Sequence, residues 1–490
     1  MSSYLLSIDQ GTTGTTVLVV DADGKPVGSA YQEFAQHFPQ DGWVEHDAEE
    51  LWQSVATTIP EALRAAGVRG HDCRGIGITN QRETTLLWSR QDGKAVHPAL
   101  VWQDRRTAPL CAELRAQGHA PRFRKRTGLV LDPYFSGTKL RWLLDEVPGA
   151  GPRAAAGELA FGTVDTFLIW RLTGGTAHCT DVTNAARTLL FDPQTEAWDA
   201  GLADILQVPM ALLPEVHACT AHFGLTAGAP GLPDGIPICG VAGDQNAAMV
   251  GQACFAPGDG KCTYGTGAFL LLNTGPSFVS SEHGLLTTIA WKIGAHKAYA
   301  LEGSAFIAGA AVQWLRDGLG LIQESAEIEA LAGEVSDAGG VTFVPALAGL
   351  GAPHWDPEAR GLLCGLTRDT RRAHVARAVL EGVALQIADL SEAIARDADS
   401  PLRVLKVDGG AAKNDLLMQY QADVLDVVVE RPEHIESTAL GAAYLAAIGA
   451  GVLPDQHAIA SKRRVERLFR PEMSAERRDA AGQNWWLAEH

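Results

Sequence analysis

Apolar residues first occur in this chain as short runs of strand length. "YLLSIDQ" (4–10), "TVLVVDADGKPVGSAYQEF" (16–34) and "GIGITNQRETTLLW" (75–88) alternate or run apolar between polar turns, which predicts a sheet in the N-terminal part. Asp23-Gly24 supplies a hairpin signal inside the second run. Farther on the period changes. "RAHVARAVLEGVALQIADLSEAI" (372–394) repeats apolar residues at helical spacing, and "RVLKVDGG", "AAKNDLLMQYQADVL" and "DVVVE" read as strand, glycine turn, helix and strand. Together these predict an α/β fold.

Two of the apolar runs break in the same way. "LLSIDQGTTG" (5–14) and "IPICGVAGDQNAA" (236–248) both place Asp-Gln where a buried strand gives way to a loop of small residues. An isolated acid at such a point is most simply a turn cap. If the two stretches are copies in two lobes of similar construction, a boundary falls soon after the second, near residue 250, and the two acids face one cleft.

Length and composition narrow the class. A chain of 490 residues allows two or three domains, two large α/β lobes among them. With 46% hydrophobic and 20% charged residues it has the composition of a folded soluble protein. A formal net charge of -18 works against binding nucleic acid or an anionic membrane; a phosphate-bearing substrate would need local basic or backbone donors. The eight cysteines stand singly without C-x-x-C spacing, so neither a zinc site nor a disulfide framework is expected, and a reducing cytoplasm fits. No signal-like stretch and no apolar run near ~18 residues occurs, so export and membrane insertion are not expected.

Several glycine-rich stretches could meet phosphate. "GDGKCTYGTG" (258–267) imitates a P-loop, but Phe255 stands where that motif needs glycine, and Cys262 where it needs Ser or Thr. No G-x-G-x-x-G lies between a strand and a helix, so a Rossmann site has no support. What is left of the first stretch, "TYGTG" (263–267), is either a hairpin tip or a turn presenting backbone N–H groups to phosphate oxygens. "VDGGAAKND" (407–415) is a strand-to-helix turn open to close approach, or simply a tight turn. "NQRETT" (80–85) and "VWQDRR" (101–106) gather Arg, Glu, Trp and Asp, a mix that also suits a solvated loop beside a half-buried Trp.

Taken in order along the chain, these stretches resemble the glycerol kinase branch of the FGGY carbohydrate kinases, in the actin and hexokinase superfamily. The likeness runs from "SIDQGTTG" through "WVEHD", "GITNQRETT", "FGTVDTFLIWRLTGG", "AGDQNAA", "TYGTGAF", "LEGSAFIAGAAVQWLRD" and "GLGAPHWDPEARG" to "ERPEHIESTALGAAYLA". It includes both signature stretches, "YFSGTKLRWLLDE" (134–146) and "GLLCGLTRDTRRAHVARAVLE" (361–381). The resemblance implies two actin-like (ribonuclease H-like) lobes with a catalytic cleft between them, an N-terminal lobe at 1–250 and a C-terminal, nucleotide-binding lobe at 251–490. It implies ATP-dependent phosphorylation of glycerol to sn-glycerol 3-phosphate by in-line transfer, with magnesium.

Residue by residue, the resemblance assigns glycerol to Arg82, Glu83, Trp102, Tyr134, Asp244, Gln245 and Phe269, with Asp244 as general base. Three hydroxyls and a bare carbon edge suit that mixture of hydrogen-bonding and aromatic groups. Asp9 matches the acid that organises magnesium, and Gly11, Thr12, Thr13 and Gly14 would lie against the phosphates, joined by Thr266. The remaining nucleotide contacts match Gly309, Gln313, Gly410 and Asn414. The chain departs from the pattern twice. Gly14-Thr15-Thr16 stands where many relatives have Ser-Ser-Arg, so a phosphate-side arginine is missing, and "TAGAPGLPDGIPI" (226–238) has no basic residue where an inhibitory sugar-bisphosphate loop has arginine. Weak or absent inhibition by fructose bisphosphate is therefore expected. Two other functions compete: a sister kinase for another polyol or a ketose, which should alter the Arg-Glu, Trp, Tyr and Phe set, and an actin-like ATP switch without a small-molecule acceptor. A homodimer or homotetramer is the assembly expected of such an enzyme.

Overall fold

A computed structural model describes residues 3–356, 358–398 and 401–489. The chain forms two compact units. The first comprises Met1–Ala253, Thr287–Tyr299 and Ser437–Arg463; the second comprises Cys254–Leu286, Ala300–Glu436 and Arg464–His490.

In the first unit the predicted strands are present as β1 (Tyr4–Gln10), β2 (Gly14–Asp21), β3 (Pro26–Glu33) and β4 (Cys73–Asn80), joined by β5 (Gly224–Leu225) and β6 (Pro237–Gly243). They form one sheet in the order β5-β6-β4-β1-β2-β3. The hairpin between β2 and β3 turns where Asp23-Gly24 predicts: Gly24 has φ 82°, and the Asp21 carboxylate accepts from the amides of Asp23 and Lys25. β1 runs antiparallel to β2 and parallel to β4, and β6 runs parallel to β4. Three neighbouring strands therefore end at the same edge, with Asp9, Thr79 and Ala242 in one row.

Helices cover both faces. Helix α1 (Ala48–Ala66), capped by Asp47, buries Leu51, Val55, Ile59 and Ala62 against β2 and β3. Helix α9 (Ser437–Gly449) reads "STALGAAYLAAIG", and its small residues let its backbone lie almost on the sheet. A Cβ at Gly77 would overlap the Ala442 carbonyl, and one at Gly240 the backbone of Ala446. That fit explains why residues 437–463 belong to the first unit despite their place in sequence.

The paired Asp-Gln stretches are not copies in two lobes. β1 and β6 are two strands apart in one sheet, and the stretches look alike because each is a buried parallel strand ending at the same edge. The topological counterpart of the β1–β2 hairpin lies in the second unit. There β7 (Asp259–Tyr264) runs antiparallel to β8 (Ala268–Gly275) and parallel to β9 (Val404–Asp408). The strands lying wholly in that unit follow the order β8-β7-β9-β10-β11, with β10 at Val428–Pro432 and β11 at Val465–Phe469.

The predicted long helix is α7 (Arg372–Asp397), and the predicted turn, helix and strand appear as a 3₁₀ turn (Gly410–Lys413), α8 (Asp415–Leu425) and β10. Val379, Val383, Leu417 and Met418 from the helices meet Cys262, Leu270, Leu405 and Val407 from the sheet in one core. The Tyr264 hydroxyl donates to Gln421 at 2.6 Å inside it. Among the described residues no helix is long and apolar enough to cross a membrane.

Candidate active site

The edge of the first sheet gathers charge. From Asn80, the last residue of β4, the chain continues through Gln81, Arg82 and Glu83, all buried, and Glu83 takes a left-handed backbone with φ 61°. A non-glycine residue held there stores strain, and such positions concentrate where side chains are aimed for function. Beyond β6, Asp244 opens helix α4 (Asp244–Gly251). Arg82 Nε lies 3.2 Å from Asp244 Oδ1 and 3.9 Å from Glu83 Oε1, while Arg187 Nε lies 2.5 Å from the same Glu83 oxygen. Arg187, Glu83, Arg82 and Asp244 thus alternate in sign. The first three are buried and the Asp244 side chain is 30% exposed, so solvent reaches the Asp244 end of the series. Gly243 permits this approach, because a Cβ there would stand 2.7 Å from the Arg82 stem.

The aromatic wall is nearby. Trp102 and Tyr134 meet edge to face with centroids 5.7 Å apart, and the Arg187 guanidinium lies over the rings of Tyr134 and Phe135. Trp102 Nε1 donates to the Thr12 hydroxyl at 2.9 Å, and the Trp102 amide donates to Thr84. The structure therefore brings together Arg82, Glu83, Trp102, Tyr134, Asp244 and, next in chain, Gln245. Phe269 is on β8 in the second unit, half-buried, opposite Thr263.

The Gly11–Gly14 turn is braced from below. Gly11 N–H donates to the Gly14 carbonyl, Gln36 donates to the Thr12 carbonyl, and Gln81 donates to the Gly11 carbonyl and to Gln10. Thr13 is exposed, whereas Gly14 is buried with the Tyr31 ring where a Cβ would be. Asp9 is half-buried at the end of β1, with Thr16 and Thr79 as its cross-strand neighbours.

In the second unit, Thr266, Gly309, Gln313, Gly410 and Asn414 border one cavity of about 440 Å³. Its wall is the hairpin tip at 265–267 against helix α5 (Gly309–Asp317). The carbonyls of Gly265 and Thr266 accept from the amides of Ala308, Gly309 and Ala310. A Cβ on Gly309 would lie 2.6 Å from the Gly265 carbonyl oxygen, while one on Gly410 would meet nothing within 4 Å. Asn414 caps α8, accepting from the Leu417 amide. Val312, Leu380, Val383 and Leu417 line the interior with Ile328 of helix α6 (Glu327–Ala332).

Sequence reasoning missed two groups. The apolar lining residues carry the same periodicity as core residues, so nothing marks them. The stretch "TDVTNAART" (180–188) brings Arg187 to Glu83; its only local signal is Asp-x-x-Asn ahead of a short helix.

The chain matches the model of the FGGY family of carbohydrate kinases, N-terminal domain, over residues 4–251, and the C-terminal domain over 260–450. It is 56% identical to the glycerol kinase of Myxococcus xanthus over 99% of this chain and 98% of that protein. It is 59% identical to that of Alkalilimnicola ehrlichii over 91% and 90%. The crystal structure of Plasmodium falciparum glycerol kinase with ADP superposes with a TM-score of 0.92 at 36% identity, covering 100% of this chain and 98% of that one.

Proposed function

This chain belongs to the FGGY family of carbohydrate kinases, and on that premise we infer that it transfers the γ-phosphoryl group of ATP to glycerol. The observation that carries the reading is the Arg187–Glu83–Arg82–Asp244 series, its first three members buried, beside Trp102 and Tyr134. A triol needs several fixed donors and acceptors plus a flat apolar wall. An analogue lacking one hydroxyl would leave a buried group unpaired at ~1–3 kcal/mol.

Asp244 accepts the proton of the terminal hydroxyl as that oxygen attacks the γ-phosphorus in line, giving glycerol 3-phosphate and ADP. Arg82 orients that carboxylate and, with Glu83 and Gln245, fixes the hydroxyls; Trp102 and Tyr134 flank the carbons. The cavity bordered by Thr266, Gly309, Gln313, Gly410 and Asn414 takes the nucleoside end of ATP, and the Gly11–Gly14 turn, with Thr12 and Thr13, takes the phosphates. We divide the work accordingly: acceptor chemistry in the N-terminal region, 1–250, and nucleotide binding in the C-terminal region, 251–490.

Magnesium fits the residues present. It keeps most of its water and needs only one or two carboxylates besides phosphate oxygens. Among the described residues no group of three acidic, His or Cys side chains forms a metal cage, and Asp9 stands between two threonines. Asp9 would hold the ion through water, and the bound cation supplies charge neutralisation on the phosphates. A cytoplasmic setting accords with eight cysteines that all keep their thiols. The 226–238 loop lacks a basic side chain, so inhibition by fructose bisphosphate should be weak; strong inhibition below millimolar concentration would refute this.

One assay tests the central reading: ATP-dependent ADP release with glycerol, erythritol, xylulose and gluconate as acceptors. Glycerol should dominate. Faster turnover of xylulose or gluconate would move the substrate to a sister kinase, and ATP binding without acceptor-stimulated release would favour the switch.

A further inference from the structure

Apart from Arg187, the stretch "TDVTNAART" has no place in the site described above, yet Thr183 reaches the residue before Asp244 and Asn184 reaches Asn80, two residues before Arg82. We propose that Asp181, acting through Thr183 and Asn184, is the positioning hub for both halves of the acceptor site; this rests on the reading of Asp244 as the base.

The Asp181 carboxylate is fully buried and accepts five hydrogen bonds. Oδ2 takes the Thr183 amide at 2.8 Å, the Thr183 hydroxyl at 2.7 Å and the Cys219 thiol at 3.3 Å. Oδ1 takes the Asn184 amide at 3.0 Å and its side-chain Nδ2 at 2.9 Å. Capping helix α3 (Val182–Ala185) needs only the two backbone donors. The side-chain donors do something else.

The first arm runs to the base. With its proton committed to Asp181, the Thr183 hydroxyl accepts from the Gly243 N–H at 2.9 Å. Gly243 is the residue before Asp244, at the point where β6 turns into α4, so this bond sets the angle at which the base leaves the sheet. The second arm runs to the Arg82–Glu83 pair. Asn184 and Asn80 exchange amide hydrogen bonds at 3.0 and 3.1 Å, and Asn80 Nδ2 also holds the Gln81 carbonyl at 2.9 Å. Asn80 ends β4, two residues before Arg82. One buried carboxylate thus orients two side chains whose second hydrogen bonds fix the ends of adjacent strands. A polar network satisfied at every member is rigid, and placing a base to within a fraction of an ångström is where rigidity enters the rate.

The arms predict different kinetic signatures. Thr183→Val keeps the shape and removes the hydroxyl. It should lower kcat ~10–100-fold while the KM for glycerol and the affinity for ADP stay near wild type, and Thr183→Ser should restore most of the rate. Asn184→Ala should act mainly on the glycerol KM, raising it by roughly tenfold. If Thr183→Val does not fold, Thr183→Ala carries the same prediction, with thermal melting and ADP binding as the check on folding. Full kcat in the hydroxyl-less variant, or a Thr183→Ser enzyme as impaired as Thr183→Val, overturns the hub. So does a loss of kcat matched by an equal loss of ADP affinity, the mark of general damage. Wild-type protein without glycerol-stimulated ADP release overturns the functional reading itself, and the hub with it.

Discussion

At the edge of the first unit's sheet, Arg187, Glu83, Arg82 and Asp244 alternate in charge, three of them shut away from water. The cavity of the second unit is built from other material. Glycines, backbone carbonyls and a cap asparagine border it with Lys413 and Glu329, and Val312, Ile328, Leu380, Val383 and Leu417 line its interior. Each unit presents a glycine- and threonine-rich hairpin tip, 11–14 in one and 265–267 in the other, and each tip is held differently. The first rests on the side chains of Gln36 and Gln81; the second is clamped by helix α5 amides. On the proposed function, the contrast follows from what each site must do. A small neutral triol offers little surface, so it must be recognised through directed hydrogen bonds and one of its protons must be removed. A nucleoside offers area, and area is matched by shape and apolar contact.

If that division of labour holds, each site can be damaged alone. The largest effect belongs to Asp244→Asn, which keeps the shape and removes the base. We expect kcat to fall on the order of 10²–10⁴-fold with ADP affinity unchanged, measured by steady-state kinetics and calorimetry. Near-normal turnover would remove Asp244 from its role, and a parallel fall in ADP affinity would break the comparison between the sites.

Gly309→Ala makes the reciprocal test. Its Cβ would lie 2.6 Å from the Gly265 carbonyl oxygen, and overpacking of that kind costs ~1–3 kcal/mol. The hairpin tip must move away from helix α5, so ADP should bind about tenfold more weakly while the glycerol KM holds. Equal damage to both constants would mean that the two sites are not separable.

The same contrast explains what could be read from the sequence. Strands, turns and the long helix were legible wherever the period was clean, as in "YLLSIDQ" and "RAHVARAVLEGVALQIADLSEAI". Arg82, Glu83 and Asp244 did not stand out by themselves, since a solvated loop and a turn cap would use the same residue types; the family resemblance singled them out. The likeness of "LLSIDQGTTG" to "AGDQNAA" was real but misassigned, since neighbouring parallel strands ending at one edge produce the same pattern as a duplicated lobe. Leu380 and Val383 were silent because a helix stripe that lines a cavity has the same spacing as one that fills a core. Thr183 was silent for another reason: its hydroxyl ties nearby Asp181 to the distant Gly243 amide, a partner that no local pattern reveals.

A final, smaller effect concerns the brace beneath the first hairpin tip. His46 is fully buried, and burial, helped by the neighbouring His37, lowers its pKa from 6.5 to about 4. The neutral ring fits its place. Nε2 lies 2.7 Å from the Gln36 Oε1, which can only accept, so it carries the proton; Nδ1 lies 3.4 Å from the Gln81 Nε2, which can only donate. The same two glutamines hold the carbonyls of Thr12 and Gly11. Between the folded and unfolded values the unfolded chain binds more protons, so stability attributable to His46 is full near neutrality and declines as pH falls through that window. From pH 7 to pH 5.5 the loss should be about 1 kcal/mol. Urea melts of wild type and His46→Gln at both pH values isolate it from other titrating groups, because only the wild type carries this slope. Identical slopes would mean that the histidine is not the neutral prop its partners imply. His178, its ring edge-on to Trp88 and Trp170, has its pKa lowered to about 4 by burial as well and adds a slope of the same sign, so the brace is read from the difference between wild type and His46→Gln and not from the wild-type slope alone.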